Sequence, residues 1–531
     1  MNNLNYFRIF SERKLNCILL SFYLSFIIIC QIIVNNNFDR FYVGSGSWMI
    51  ISFLFSPIII HFFSRLEIDD TRLFQQKSGR KVSLILYGVP LTVLLIYFVA
   101  YYPGGFTQDS IEQYGQAIGS QPFNDWHPVL QTLFAFWLPL AITGGCTASV
   151  SLFQVLVFSA ALGYCFQTIY QYAGKNYVLG SMIYILCNPL LCISVIPWKD
   201  VSFAVGALLL MVFSVKILMS GGNWLNSFSH FVFFVAVFVF TTIFRHNAIL
   251  FTAPLLLALF FQIPGKKFLT VLLAIIALFF AVKGPLYSTL QVESPGRRQV
   301  ETLGLPMTVI GAAVRYTPYA LDEDILEFAY KIAPREIWER HYRSGDFNAV
   351  KLRPESDTDI IEEYGAKSVL TMMFRCIKSS PGVCLSSLVK LTEGVYTVTD
   401  PHPVNIGPYI EKNGYGIEHS STVYGIEKSS VGILSFCFLG VRVFVQVFFP
   451  QIFMFYGVAD LIVIISILSR CRLNKLKDLK KILFALPLLA YNFGSSLLLT
   501  SNGDCTRFFY YTVLILPLIL VIFYKREEVP E

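Results

Sequence analysis

Several short stretches of this 531-residue chain carry side chains of the kinds that move protons or hold anions. The densest is Tyr101-Tyr102-Pro103-Gly104-Gly105-Phe106-Thr107-Gln108-Asp109-Ser110-Ile111-Glu112, where a Gly/Pro break ends an apolar run and a carboxylate follows within about two turns. Asp109 and Glu112 stand three apart, on one face if the segment is helical. Two readings stay open together: a capping box with Asp109 as N-cap and Glu112 at N3, and carboxylates placed for proton transfer. The stretch continues to Asn124-Asp125-Trp126-His127-Pro128, which adds the acid Asp125 and the titratable imidazole of His127. A plainer reading of that segment is an interfacial Trp beside a solvated His.

Two basic turns follow. Trp198-Lys199-Asp200 comes after Pro197, and Arg245-His246-Asn247 interrupts an apolar pair. Lys199 has Asp200 beside it as an ordinary ion-pair partner, whereas Arg245 has no acidic neighbour close in sequence. The planar guanidinium fork grips phosphate oxygens bidentately, which makes Arg245 a candidate phosphate ligand; a snorkelling interfacial Arg is the other reading. Near the end, Asn502-Gly503-Asp504-Cys505-Thr506-Arg507 places Arg507 next to Asp504, either as a surface ion pair or as a further cation for the same anion.

The elements that must position these groups are membrane helices. Hydrophobic residues make up 55% of the chain and charged residues only 14%, against about 25% charged in soluble globular domains. Lipid is therefore the solvent for much of the chain. The net charge of +7 fits cytoplasmic loops better than nucleic acid, since no basic stripe with interleaved aromatics lies outside the apolar runs. Many of the eleven cysteines lie in those runs, and no CxxC or His-x-x-His pattern argues for structural zinc. Cys376 and Cys384 share a polar region, and their pairing as a disulfide is left open.

Apolar runs near 15–34, 48–64, 82–101, 150–172, 177–197, 201–219, 228–244, 248–263, 268–285, 450–469, 482–500 and 508–524 are long enough to span. The first follows Arg13-Lys14 with no small-x-small cleavage site, so it is expected to be an uncleaved signal anchor. Two weaker runs, 128–142 and 431–449, contain prolines or Arg442. Basic clusters at 13–14, 65–81, 266–267, 470–481 and 525–526 all fall on the cytoplasmic side only if both weak runs stay interfacial or re-entrant. That parity predicts about 12 spans with both termini cytoplasmic. It also places the loop 102–149, both basic turns, the segment 286–430 and the turn 501–507 together on the outside. The expected organisation is a transmembrane region 1–285 bearing the loop 102–149, a mainly helical exterior domain 286–430 and a transmembrane region 431–531. Helical stretches are expected at 322–340, 369–377 and 385–391. No repeat of 20–50 residues is evident.

The runs Tyr102-Pro103-Gly104…Asp109-Ser110, Asp125-Trp126-His127-Pro128, Trp198-Lys199-Asp200 and Arg245-His246-Asn247-Ala248 resemble an uncharacterised bacterial family of multi-pass proteins. That family is similar to the GT-C superfamily of lipid-linked-sugar glycosyltransferases. The resemblance covers roughly 80–285 and the residues around Asp504 and Arg507. It departs from the superfamily in two respects: the acidic loop follows the third span, not the first, and holds no acid-x-acid pair. The resemblance implies an all-α, GT-C-like polytopic protein of the bacterial inner membrane. Such a protein takes a sugar from a polyprenyl-phosphate donor to a cell-envelope glycan or other acceptor at the outer face, with no nucleic acid involved. Asp109 would be the general base, with Glu112, Asp125 and His127 beside it. Lys199, Arg245, His246 and Arg507 would hold the donor phosphate. No metal ligand is assigned, and a divalent cation, Mg or Mn, is left open. Two other functions compete: an O-antigen or capsule polymerase, and a lipid-linked glycan transporter or flippase. The transporter reading is raised by Asp460, halfway along 450–469, with Arg442 as a conceivable partner.

Overall fold

A computed structural model describes residues 13–36, 45–66, 79–293, 298–398, 432–453, 455–472 and 475–524. The Tyr-rich tail expected at 400–424 and the basic pair 525–526 lie outside them. The described residues are helical throughout, joined only by isolated bridges and turns, with no strand among them.

The chain opens with α1 (Lys14–Asn36), α2 (Ser45–Arg65) and α3 (Arg80–Ala100). The short amphipathic α4 (Gln108–Ala117) and α5 (Val129–Thr143) follow. These two pack together around Phe106, Tyr114, Phe136, Leu140 and Val150, a small apolar cluster of their own. The 39-residue α6 (Ala148–Leu186) packs along α3 and is broken at Gly174, whose φ of 80° no L side chain adopts easily. Thus the expected spans 150–172 and 177–197 meet at that glycine. The second stops at Leu186, short of the expected end. Asn188 precedes Pro189, a position that disfavours the α conformation, and its side chain accepts from the Leu190 amide at 2.9 Å. The chain then runs as a 3₁₀ segment, Pro189–Val195, into an extended turn.

From that turn starts α7 (Lys199–Met219), followed by α8 (Phe228–Ile243), α9 (Ile249–Gln262) and α10 (Gly265–Ala281). The inserted unit that follows holds α11 (Gly304–Tyr316), α12 (Glu323–Ile332), α13 (Arg335–His341), α14 (Asp359–Ser379) and α15 (Pro381–Leu391). It has a core separate from the bundle, built on Met307, Ile310, Phe328, Trp338, Tyr342 and Phe347. The stretch expected as one helix over 322–340 is split at Ala333-Pro334, because proline lacks the amide an ongoing helix needs. Cys376 and Cys384 are both free thiols buried in this core, pushed up by burial to about 12 and about 11. The chain closes with α16 (Gly432–Phe448), α17 (Tyr456–Arg470), α18 (Leu476–Ser496) and α19 (Tyr511–Tyr524). In the bundle α9 packs on α18, and α7 and α17 pack on α19.

Five described helices are long and apolar enough to cross a bilayer, and a sixth forms if Asn502–Phe509 and α19, bent by 50°, count as one. The chain is a membrane protein by this measure. The figure is below the expected twelve because α8, α9 and several others are shorter than 18 residues. Lipid contact is clearest on the helix Gly265–Thr289, where the protein buries only 17% of the apolar window. Phe228 and Ile433 are likewise exposed large hydrophobics.

One end of the bundle gathers the polar loops. The opposite end gathers basic residues: Arg13 donates to the Ser469 carbonyl, and Arg470 donates to the Ser64 carbonyl at 2.6 Å.

Candidate active site

Backbone packing at the first end begins with Gly104. Its φ of +126° and the Ser151 hydroxyl, 1.8 Å from where a Cβ would stand, leave room for glycine alone. The following amide, of Gly105, donates to the Val195 carbonyl at 3.0 Å. Gln154 donates to the carbonyls of Ser194 and Ile196, both at 2.7 Å. The loop after α3 is thereby laid against the unwound segment before α7. Trp198 closes the contact by donating its indole N–H to Thr107 Oγ1 at 2.7 Å.

This arrangement sets the first turns of α4 and α7 side by side, each with a carboxylate: Asp109 and Asp200. Helix N-termini favour negative charge there. The cation between them comes from the far end of the sequence. Arg507 donates through Nε to Asp200 at 2.5 Å and through Nη2 to Asp109, across 307 and 398 residues. Its guanidinium carbon lies 5.0 Å from the Trp198 ring centre. Arg245, at the turn between α8 and α9, makes an ion pair with the other oxygen of Asp200 and lies 3.7 Å above the Phe508 ring.

Burial divides this network in two. The Asp200 and Arg245 side chains are 1% and 5% exposed, whereas those of Asp109 and Arg507 are 27% and 26% exposed. A ligand can reach the second pair and not the first. Burial alone would raise the Asp109 carboxyl, but Arg507, with His127 and Lys199 adding to it, holds the group below the usual carboxylate range.

Around the network lie the other groups singled out by the sequence. Lys199 does not pair with Asp200; adjacent helical residues do not face each other, and its amine donates to the Trp126 carbonyl at 3.3 Å. With Lys199 nearby, three cations face two carboxylates. Glu112 and Asp109 do not form a capping box. Thr107 is the N-cap and makes no side-chain cap bond, while Glu112 meets His127 Nε2 at 2.8 Å. Asp125 stands apart from Asp109. It accepts from Lys283 at 2.8 Å and from the Tyr287 hydroxyl at 2.7 Å, fastening its loop to the end of α10. His246 lies 3.0 Å from the Asp125 carbonyl. Asp504 does not pair with Arg507 and instead accepts from Asn348 at 3.3 Å.

No protein-family model matches the chain, and no curated protein or solved structure matches it either.

The site is therefore read from its own geometry. Asp200 and Trp198 are members that residue spacing did not single out for it, and Lys283 and Tyr287, equally unforeseen, hold Asp125 apart from it. Asp200 carried one signal, an acid in the first turn of an apolar helix, which its neighbour Lys199 masked. Among the described residues no three His, Cys, Asp or Glu side chains converge, and the two carboxylates that meet are joined through guanidinium groups. No step below is routed through a metal.

Proposed function

We propose that the chain is a GT-C-type glycosyltransferase moving a sugar from a polyprenyl-phosphate donor to a cell-surface glycan or other acceptor. In this reading it has about 12 spans, both termini are cytoplasmic, and the Asp109 end faces outward. The observation that carries the reading is the meeting of accessible Asp109 with accessible Arg507, backed by the sealed Asp200–Arg245 pair. A base and an anion-holding cation at one opening are what displacement of a lipid phosphate requires.

A groove of about 410 Å³ supports the lipid half of the reading. Tyr97, Tyr101, Phe436, Phe438 and Leu439 line it between α3 and α16, and Arg442 stands in its wall. Tyr101 also begins the loop that leads to Asp109. A prenyl chain suits such a lining, and Arg442 places a cation beside it.

In the reaction Asp109 takes the proton of the acceptor hydroxyl as its oxygen bonds to the anomeric carbon. The bond from that carbon to the phosphate oxygen breaks, and polyprenyl phosphate leaves with the electron pair. Arg507 and Lys199 stabilise the phosphate charge in a partly dehydrated site. While Asp109 is paired to Arg507 it is a weak base. A donor phosphate that draws on Arg507 loosens the pair and raises the basicity of Asp109 as the acceptor needs it.

Asp460 weighs against a transport path. It is fully buried, and both its oxygens accept from Asn492, at 2.9 and 3.1 Å, rather than facing Arg442. The test is sugar transfer in proteoliposomes from labelled polyprenyl-phosphate sugar. Asp109→Asn should abolish transfer while the protein inserts and purifies as before; a fully active variant would sink the assignment. Product length separates single-sugar transfer from polymerisation.

A further inference from the structure

A second polar opening lies away from Asp109, where the inserted unit meets the end of α1. Arg315, Arg340, Arg343, Lys390, Tyr316 and Ser344 line it, together with Val34, Tyr342, Glu393 and Asn502, around a cavity of about 320 Å³. Four cations thus face one carboxylate.

The neighbouring groups show which of these charges are already committed. Glu393 accepts from Asn502 Nδ2 at 2.9 Å, and Arg315 donates to the Tyr342 carbonyl while lying 5.3 Å from the Tyr316 ring centre. Arg340 and Arg343 are exposed, and neither forms an ion pair with a carboxylate among the described residues. Elsewhere on the same unit Arg335 pairs with Glu339, Lys331 with Glu327, Lys351 with Glu301, and Arg375 with Asp322 and Asp324, while Arg353, Lys367 and Lys378 stand singly on its surface among the described residues. What marks the cleft is that Arg340 and Arg343 share one opening with Arg315 and Lys390. Like charges held this close repel unless an anion joins them, and guanidinium groups match phosphate oxygens bidentately.

The location narrows the source of the anion. Val34 lies in the last turn of α1, one of the helices long and apolar enough to span, so the cleft opens where that span leaves the hydrocarbon. Phosphate is densest at that level. We propose that the cleft binds the phosphate of an anionic lipid headgroup. The site is separate from the Asp109–Arg507 pair and stands whether or not the transferase reading holds.

The full chain, purified and placed in phosphatidylcholine nanodiscs, is titrated with short-chain phosphatidylglycerol. Bound lipid is counted by native mass spectrometry, and unfolding is followed by temperature. Phosphatidylglycerol should bind and raise the midpoint. Arg340→Gln combined with Arg343→Gln should weaken binding about tenfold or more, whereas Arg375→Gln, away from the cleft, should leave it unchanged. Because Arg340 and Arg343 are exposed, the double variant keeps its core; Lys390→Gln is the second probe should it not fold. Equal binding by the double variant and the native chain, or equal stabilisation by phosphatidylcholine, overturns the proposal. Inorganic phosphate at matched concentration reproducing the whole effect overturns the lipid assignment and leaves a free-phosphate site.

Discussion

Two buried carboxylates sit among the helices of this protein in opposite company. Asp200 faces two guanidinium groups at an end of the bundle, one of them reaching solvent through Asp109. Asp460 faces an amide. Its oxygens accept from Asn492, whose carbonyl accepts from the Tyr511 hydroxyl at 2.9 Å, and Thr512 closes the set. The first network is ionic, offers exposed members and joins segments remote in sequence. The second is sealed and ties α17, α18 and α19 to one another. A buried acid is thus not a functional mark by itself. What distinguishes the two is whether the partner is charged and whether the chain of contacts reaches an opening.

Substitutions can break this contrast. The largest effect after Asp109→Asn is expected from Arg507→Ala, which should lower the transfer rate about 100- to 1,000-fold, as for loss of a charge-stabilising donor. It should also shift the acid limb of the rate profile. With Arg507 present, the Asp109 carboxyl lies below its unfolded value, so its stabilisation is full above the ordinary carboxylate range and is lost as pH falls beneath it. Without Arg507 burial dominates, the carboxyl moves up, and the acid limb should appear at higher pH. A limb that stays in place would remove Asp109 from the role of titrating base.

Arg245→Ala acts on the sealed half. It leaves Asp200 with one cation in a dry setting and should cost about 3 kcal/mol of stability, read as a lower unfolding temperature, with activity falling in step with folded protein. Asp460→Asn should have the smallest effect. Loss of about 1 kcal/mol and unchanged transfer per folded molecule are expected; loss of transfer at full stability would place Asp460 in the mechanism and erase the distinction drawn above.

Local chemistry was legible in the sequence, and long-range pairing was not. The Gly/Pro break before Asp109 and the basic turns at Lys199 and Arg245 were visible as places where apolar runs stop, and they do meet at one end. Their partners were hidden by distance. Arg245 finds Asp200 45 residues earlier, and Arg507 finds Asp109 across 398. Neighbour rules misled at Asp504–Arg507 and Lys199–Asp200, because a nearby charge competes with one that packing brings closer. The end of α6 was misplaced because Asn188-Pro189 lies inside an apolar run whose hydropathy gives no sign of a helix ending.

The pairing of Arg507 with Asp109 also fixes an order of assembly. Asp200 and Arg245 stand within one stretch of chain and can meet as soon as α9 is made. Asp109 has to wait for Arg507, which is synthesised 398 residues later and held in place where Phe347 N–H donates to the Thr500 carbonyl at 2.9 Å and Asn502 N–H to that of Gly345 at 3.0 Å. A chain made only as far as α9 therefore carries Asp109 without its guanidinium partner, and the Asp109–Arg507 pair closes only once the segment leading into α19 has docked.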